Sequence, residues 1–268
     1  MNYIALDLTD LALASVLVVA NAALSWRLQL GLGRSLVVAA LRMSVQLALM
    51  GLVLKALFAV ASPLWTGLAA LVMVTFAARE ARARQERALA GRWGFGVGAG
   101  AILFAGTTVT VLALTTQVRP DPWYDPRYTI PLLGMILGNT MTAVSLGLSR
   151  LTADMAERRS AIDARLALGS SALVAFRPVV RDALHDGLIP IVNAMSAAGI
   201  VSLPGMMTGQ ILAGAPPEEA IKYQILIMFL IAGATGIGVT VAVLAGALRL
   251  TDDRARLRLD RIEGEPLD

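Results

Sequence analysis

The sequence contains no cysteine and a single histidine, His185. Without thiol groups the chain cannot form a disulfide, a thiolate metal site or a cysteine nucleophile. One imidazole cannot supply the several histidine ligands of a typical zinc site within one chain. We interpret His185 as a packing or hydrogen-bonding residue rather than as a metal ligand.

Lysine is almost as scarce, since only Lys55 and Lys222 stand among the 23 basic residues. The phosphate-binding loop of ATPases requires a lysine directly before a serine or threonine. Ala56 follows Lys55 and Tyr223 follows Lys222, so neither lysine fits that motif. We therefore expect no ATP or Mg²⁺ site in this chain. Energy for uphill transport would have to come from another subunit or from an ion.

Charged residues form only 16% of the chain, and several long stretches contain none. A helix of about 20 apolar residues crosses a hydrocarbon slab about 30 Å thick. The uncharged stretches that reach this length are 56–78, 93–118, 128–149, 187–217 and 223–248. Two further apolar stretches precede them, one beginning near Leu8 and one near Ser35.

These stretches predict an all-α membrane protein, a polytopic bundle of seven transmembrane helices. The expected spans are 8–26, 35–58, 63–78, 93–116, 129–149, 188–212 and 223–248. A chain of 268 residues leaves no room for a separate soluble domain of about 100 residues or more. We therefore treat 1–268 as a single transmembrane domain.

Basic residues between the expected spans follow an alternating pattern. Eighteen of the 23 lie in the segments 27–34, 79–92, 150–187 and 249–268. Cytoplasmic loops of membrane proteins are enriched in lysine and arginine. We therefore predict the N-terminus outside and the C-terminus in the cytoplasm of a cell (inner) membrane. Confinement of the positive charge to short loops also argues against binding of nucleic acid.

The segment 150–187 is the longest one predicted to be cytoplasmic, and it predicts a pair of short helices over 152–187. Thr152 can cap the first helix, and Gly169 can end it in the left-handed conformation. Ser170 or Ser171 can cap the second helix, and Pro178 predicts a kink in it. Opposite charges four residues apart support the first helix, namely Asp154 with Arg158 and Arg159 with Asp163. Such a pair is too short to be stable alone, so it packs on its own bundle or docks into a partner. The charged tail, 249–268, predicts a solvated or lipid-surface segment.

Polar residues inside the expected spans are candidates for a transport path. Arg42 is costly in lipid and should face protein or water, with Gln46 one turn further along the same face. Alternatively, Arg42 has a structural role and hydrogen-bonds to the end of a neighbouring helix. Asn139 lies mid-span and can hydrogen-bond across helices.

The pair Pro204-Gly205 predicts a break in the sixth span. Broken helices at membrane depth line water or protein cavities and recur at transport sites. Met206 and Met207 directly follow, and their thioethers suit soft ions, although methionine also commonly fills gaps in a core. We take these four residues as further candidates for the transport path.

The segment 202–214, SLPGMMTGQILAG, resembles the FetB-type permeases, as do 134–141, GMILGNTM, and the string Leu168-Gly169-Ser170. These proteins are the membrane subunits of ABC transporters assigned to iron export and are related to the plant aluminium-tolerance permeases. The resemblance extends over about 42–248. It implies a separate ATPase subunit that carries ATP and Mg²⁺, a homodimer of the permease, and export of iron or a related metal.

Within the predicted helix pair, 163–169 reads DARLALG and resembles a diluted ATPase-docking loop of ABC permeases, Glu-Ala-Ala-x-x-x-Gly. An acid, the first alanine and the glycine are retained, whereas Arg165 departs from the pattern. The resemblance makes this segment the expected docking site, formed by Asp163, Ala164, Leu168, Gly169 and Ser170.

The leading hypothesis is therefore an ABC-transporter permease with no enzymatic activity of its own. Arg42 would repel a free cation, so an anionic or chelated cargo is an alternative. A stand-alone secondary transporter or channel is another. An intramembrane enzyme is disfavoured because the chain lacks cysteine and paired intramembrane acids, and because His185 lies outside the spans.

Overall fold

The structure is a computed structural model that describes residues 7–85, 87–252 and 256–263. Over these ranges the chain forms α-helices and no strand, which confirms the all-α prediction. The helices are α1 Leu8–Arg27, α2 Gly33–Val60, α3 Pro63–Ala83, α4 Arg92–Leu112, α5 Pro126–Glu157, α6 Arg159–Ala167, α7 Ala172–Ala197, α8 Gly205–Leu212 and α9 Pro217–Arg249. A π-helical segment, Ala113–Val118, continues α4, and a short 3-10 helix, Leu259–Arg261, lies in the tail.

Six helices of the described chain are long and apolar enough to cross a membrane. They are α1, α2, α3, α4 with its π-helical extension, α5 and α9. The structure differs from the sequence prediction over the expected sixth span, 188–212. That stretch is the last part of α7, then a non-helical segment, then the short α8.

The non-helical segment follows from local backbone chemistry. Gly199 has φ +87°, a left-handed conformation that glycine adopts without steric cost. Pro204 is the N-cap of α8 and has extended backbone angles, and proline has no N–H to continue a preceding helix. The predicted interruption at Pro204-Gly205 therefore occurs, and it begins several residues earlier than the proline.

The chain divides into two compact units, Met1–Ala61 and Ser62–Asp268. In the first unit α1 and α2 pack on each other through a short connection. The hydroxyl of Ser25 accepts the N–H of Leu32 at 3.1 Å, and a Cβ at Gly33 would lie 2.8 Å from the carbonyl oxygen of Ala22. Glycine at this position thus lets the two helices approach closely.

The second unit has its core where α5, α7 and α9 meet. Small residues allow close packing: a Cβ at Gly187 would lie 2.6 Å from Val239 Cγ2 and 2.9 Å from the carbonyl oxygen of Ala143. A Cβ at Gly147 would also lie 2.7 Å from Val239 Cγ2. Helix association in membranes relies on such close approach, because lipid tails are as apolar as the side chains that they replace.

The helix pair predicted over 152–187 has different bounds in the structure. Thr152 does not begin a helix, because α5 continues to Glu157 and Thr152 lies buried within it. Its hydroxyl lies 2.8 Å from the carbonyl oxygen of Arg87, so it holds a loop rather than a helix end. The first short helix, α6, starts only at Arg159, and the second is the start of the much longer α7. Pro178 lies inside α7 without ending it.

The prediction of a solvated or lipid-surface tail is wrong for the part that the structure describes. Ile262 is 2% exposed and pairs with Leu89, which is 1% exposed. The N–H of Ala90 donates to the carbonyl oxygen of Arg261 at 2.7 Å, and the N–H of Glu263 donates to that of Ala88 at 2.8 Å. Burial of Ile262 and these paired backbone groups favour docking over solvation.

Candidate functional site

The turn between α6 and α7, residues 168–171, is built by a helix-ending motif. Gly169 has φ +87°, and its N–H donates to the carbonyl oxygen of Leu166 at 3.0 Å. The N–H of Ser170 donates to the carbonyl oxygen of Arg165 at 3.1 Å. These two bonds form a Schellman motif, in which a glycine adopts the left-handed conformation. Ser171 stands at the N-cap of α7, without a side-chain capping bond.

The α6–α7 turn is exposed and carries apolar side chains. Leu168 is 87% exposed, and the nearby Leu173 and Val174 are 56% and 60% exposed. A Cβ added at Gly169 would meet no atom within 4 Å. Of the sequence-predicted docking residues, Asp163 and Ala164 lie exposed on α6, and Leu168, Gly169 and Ser170 lie in the turn, where the first two are exposed and Ser170 is half-buried. The turn thus exposes apolar side-chain surface on a backbone that hydrogen bonds hold in one conformation.

Buried contacts fix this turn to the bundle. Arg165 Nη1 donates to the carbonyl oxygen of Ala175 at 3.2 Å, joining α6 to the first turns of α7. Ile162 on α6 and Phe176 on α7 are 2% and 1% exposed and belong to the main core. The exposed α6–α7 turn is thus held by two helices that are anchored in the core.

An ion-pair ladder joins the end of α5 to α7 behind the turn. Asp154, 1% exposed, lies 3.1 Å from Arg150 Nε and 3.0 Å from Arg158 Nη2. The same two arginines reach α7, where Arg158 lies 2.9 Å from Asp182 and Arg150 lies 3.5 Å from Asp186. The predicted pair of Asp154 with Arg158 is confirmed, and so is that of Arg159 with Asp163, at 3.6 Å. The two acids on α7 were missed. They lie four residues apart, one helical turn, whereas the two arginines that they pair with lie eight residues apart on either side of Asp154.

A second candidate region is a cavity where α7 ends. Its volume is about 420 Å³, and we call it the methionine cavity after Met195, Met207 and Met228, which line it. Of the sequence-predicted path residues, Pro204 and Met207 line this cavity, and Gly205 lies between Pro204 and the half-buried Met206. Met206 packs against the core cluster of α4, α5 and α9.

Three further path candidates have other surroundings. Asn139 is exposed, and its Nδ2 donates to the carbonyl oxygen of Met135 at 2.9 Å. This bond lies within α5, so the expected bond across helices is replaced by one to its own backbone. Arg42 and Gln46 both lie exposed on α2, in the first unit, four residues apart.

Clusters suited to a hard metal ion are not found in the described ranges. Over these ranges, no group of three or more histidine, cysteine, aspartate or glutamate side chains could hold a metal ion. The tail contains an ion pair, in which Arg258 Nε and Nη2 each donate to the Asp260 carboxylate at 2.7 Å. These hydrogen bonds lower the pKa of Asp260 below its ordinary value.

Comparison with known proteins matches residues 8–250 to a family model described as Uncharacterised protein family (UPF0014). The chain is 38% identical over 250 residues to UPF0014 membrane protein slr1647 of Synechocystis sp., covering 92% of this chain and 94% of the relative. It is 37% identical over 246 residues to UPF0014 membrane protein STAR2 of Oryza sativa, covering 89% and 84%. It is 34% identical over 236 residues to "Probable iron export permease protein FetB" of Escherichia coli, covering 87% and 88%. No solved structure is significantly similar.

Proposed function

The chain belongs to the UPF0014 family and is a multi-pass membrane protein, and from this premise we propose that it is the permease subunit of an ABC transporter. It works as a homodimer with a separate ATPase, which supplies ATP and Mg²⁺, and it exports iron or a related metal species. The observation that carries the proposal is the exposed, anchored α6–α7 turn, which stands on a bundle whose two lysines fit no phosphate-binding loop.

The proposed topology has seven crossings, with the N-terminus outside and the C-terminus in the cytoplasm. Six crossings are the helices long and apolar enough to span. The seventh is the stretch 188–212, which enters as the end of α7, breaks, and continues as α8. The concentration of 18 of the 23 basic residues in alternate segments supports this orientation. The α6–α7 turn then faces the cytoplasm, where an ATPase would reach it.

Docking would use the apolar tip. Leu168 is 87% exposed, and a large exposed apolar side chain on a rigid backbone gains free energy when a partner buries it. Asp163 and Ala164, both exposed on α6, are proposed as further docking positions. Gly169 is the position at which any other residue costs conformational energy, because its φ is positive.

The proposed transport path runs along the broken helix. Pro204, Gly205, Met206 and Met207 form the break, and breaks at membrane depth are tolerated where a cavity or protein satisfies the freed backbone. Asn139 on α5 is a further polar position. Arg42 and Gln46, one turn apart on α2, are proposed as polar positions that face protein or water rather than lipid.

The cargo assignment rests on the printed name of the relative FetB, an iron export permease. If Arg42 lines the path, its fixed positive charge would repel a free cation, and an anionic or chelated solute is then the alternative cargo. A stand-alone secondary transporter or channel is the second candidate. It predicts ion-driven flux of the solute into vesicles that hold the purified chain and no ATPase. Concentrative uptake of this kind would refute the ABC assignment.

The test is co-expression with a candidate ABC ATPase from the same genome, followed by co-purification. We expect Gly169→Arg to abolish the complex while the permease still inserts into the membrane. Gly214→Arg is the matched control, because Gly214 also has a positive φ, +97°, and a Cβ there would likewise meet nothing within 4 Å. Both variants carry the same backbone strain and added charge. Complex formation by Gly169→Arg at the level of Gly214→Arg would refute docking at this turn.

A further inference from the structure

Three methionines from three different helices converge on the methionine cavity. Met195 lies near the end of α7, Met207 in the first turns of α8, and Met228 on α9. A methionine that fills a core gap leaves little space beside it. Here the three thioether side chains border a cavity of about 420 Å³, and Met195 is 37% exposed. These side chains therefore border a space large enough for a ligand.

A buried amide side chain borders the same cavity. Gln224 lines it and is only 8% exposed, and among the described residues its Oε1 has no hydrogen-bond partner. A buried polar atom without a partner costs about 1–3 kcal/mol. Gln224 lies four residues before Met228 on α9, so the amide and the thioether stand on one helix face. Beside its sulfur atoms the cavity thus has an amide whose buried oxygen lacks a partner and reaches the cavity by a rotation of the side chain.

The residues that line the cavity favour an ion that has a low charge and prefers soft ligands. The described lining of the cavity contains no charged side chain. Burying an ion becomes more costly as its charge rises, so a neutral site favours a monovalent ion over a divalent one. Thioether sulfur is a soft ligand that selects Cu(I)-type ions, whereas hard cations prefer carboxylate, carbonyl and water oxygen.

We propose that the methionine cavity binds a soft monovalent metal cation of the Cu(I) class. Met195, Met207 and Met228 are its thioether ligands, and Gln224 Oε1 becomes the oxygen donor when its side chain rotates toward the cavity. The claim that such an ion is a cargo rests on the proposed permease function. The claim that the site exists does not, because binding needs neither the ATPase nor the orientation of the chain in the membrane.

The experiment titrates Ag(I), a redox-inert probe of the same charge and softness, into the purified full-length protein in detergent. The background is low because the chain has no cysteine and one histidine, which His185→Gln removes from every sample. The test variant replaces Met195, Met207 and Met228 by leucine, a volume-conserving change. The matched control replaces Met43, Met50 and Met73 by leucine, three methionines outside the cavity.

We expect one tight Ag(I) site per chain, weakened at least tenfold in the test variant and unchanged in the control variant. Gln224→Leu should weaken binding less than the triple change. Bound Ag(I) should also slow peroxide oxidation of the three cavity methionines, read by peptide mass spectrometry, relative to Met43. Equal binding in test and control variants would overturn the site. Displacement of Ag(I) by equimolar Fe(II) under anaerobic conditions would overturn the soft-ion class.

A separate readout distinguishes the site from its role. If Ag(I) binds as expected but stimulates no ATP hydrolysis by the reconstituted permease–ATPase complex, the cargo assignment fails while the site stands. If no such complex forms at all, the proposed ABC function fails, and the binding data are unaffected.

Discussion

Truncation of Leu168 to alanine tests the docking turn without disturbing the fold. The side chain is 87% exposed, so its removal should change the free energy of unfolding by no more than about 0.5 kcal/mol. If the ATPase buries this side chain, the lost methyl and methylene groups remove about 2 kcal/mol of binding free energy. That loss corresponds to a dissociation constant raised about 30-fold.

The assay is a titration of the purified ATPase onto the permease held in lipid nanodiscs. Leu168→Met conserves volume and should bind like the wild type. Leu212→Ala is the matched truncation, because Leu212 is 76% exposed on α8, away from the α6–α7 turn. A dissociation constant for Leu168→Ala within about twofold of the wild type, a difference below 0.5 kcal/mol, would refute burial of this residue by the ATPase.

Three further predictions concern stability. Gly187→Ala should lower the melting temperature of the purified protein, because its Cβ would lie 2.6 Å from Val239 Cγ2 and 2.9 Å from a backbone oxygen, an overpacking that costs about 1–3 kcal/mol; Gly51→Ala, with nothing within 4 Å, should not. Asp154→Asn should destabilise the protein by about 1–3 kcal/mol in thermal unfolding, because its buried carboxylate is flanked by two arginines. Asp163 pairs with Arg159 and both side chains are half-exposed, so Asp163→Asn should destabilise the protein by about 0.5 kcal/mol or less. Equal destabilisation by Asp154→Asn and Asp163→Asn would contradict a structural role of the buried ladder. Ile262→Ala should speed trypsin cleavage of the tail, and an unchanged cleavage rate would contradict its docking on Leu89.

The membrane helices were predictable because charge is so costly in lipid. Uncharged stretches such as 93–118 and 223–248 mark helices that the structure contains, α4 with its extension and α9. The true extent of α7 was not predictable in the same way. Its first half carries Arg177, Arg181 and Asp182, which hydropathy assigns to water, while its backbone continues into the apolar half past Pro190.

Contacts between residues that are distant in the sequence were the features that the sequence analysis did not predict. Pairing of Ile262 with Leu89 joins the tail to a loop that no local pattern links to it. The convergence of Met195 and Met228 around one cavity likewise depends on how α7 and α9 pack. For the docking turn the reverse holds, because Gly169 and the helix charges are local signals, and the structure has the turn at the expected residues.

The long α7 joins the two regions for which a function is proposed. It begins directly after the α6–α7 turn and ends beside the methionine cavity, and its 26 residues span about 39 Å. A rotation of such a helix by about 5° about its end at the cavity would move the α6–α7 turn by about 3 Å. If an ATPase docks at the turn as proposed, a displacement of this size would be transmitted by α7 to the non-helical segment that contains Gly199 and Pro204.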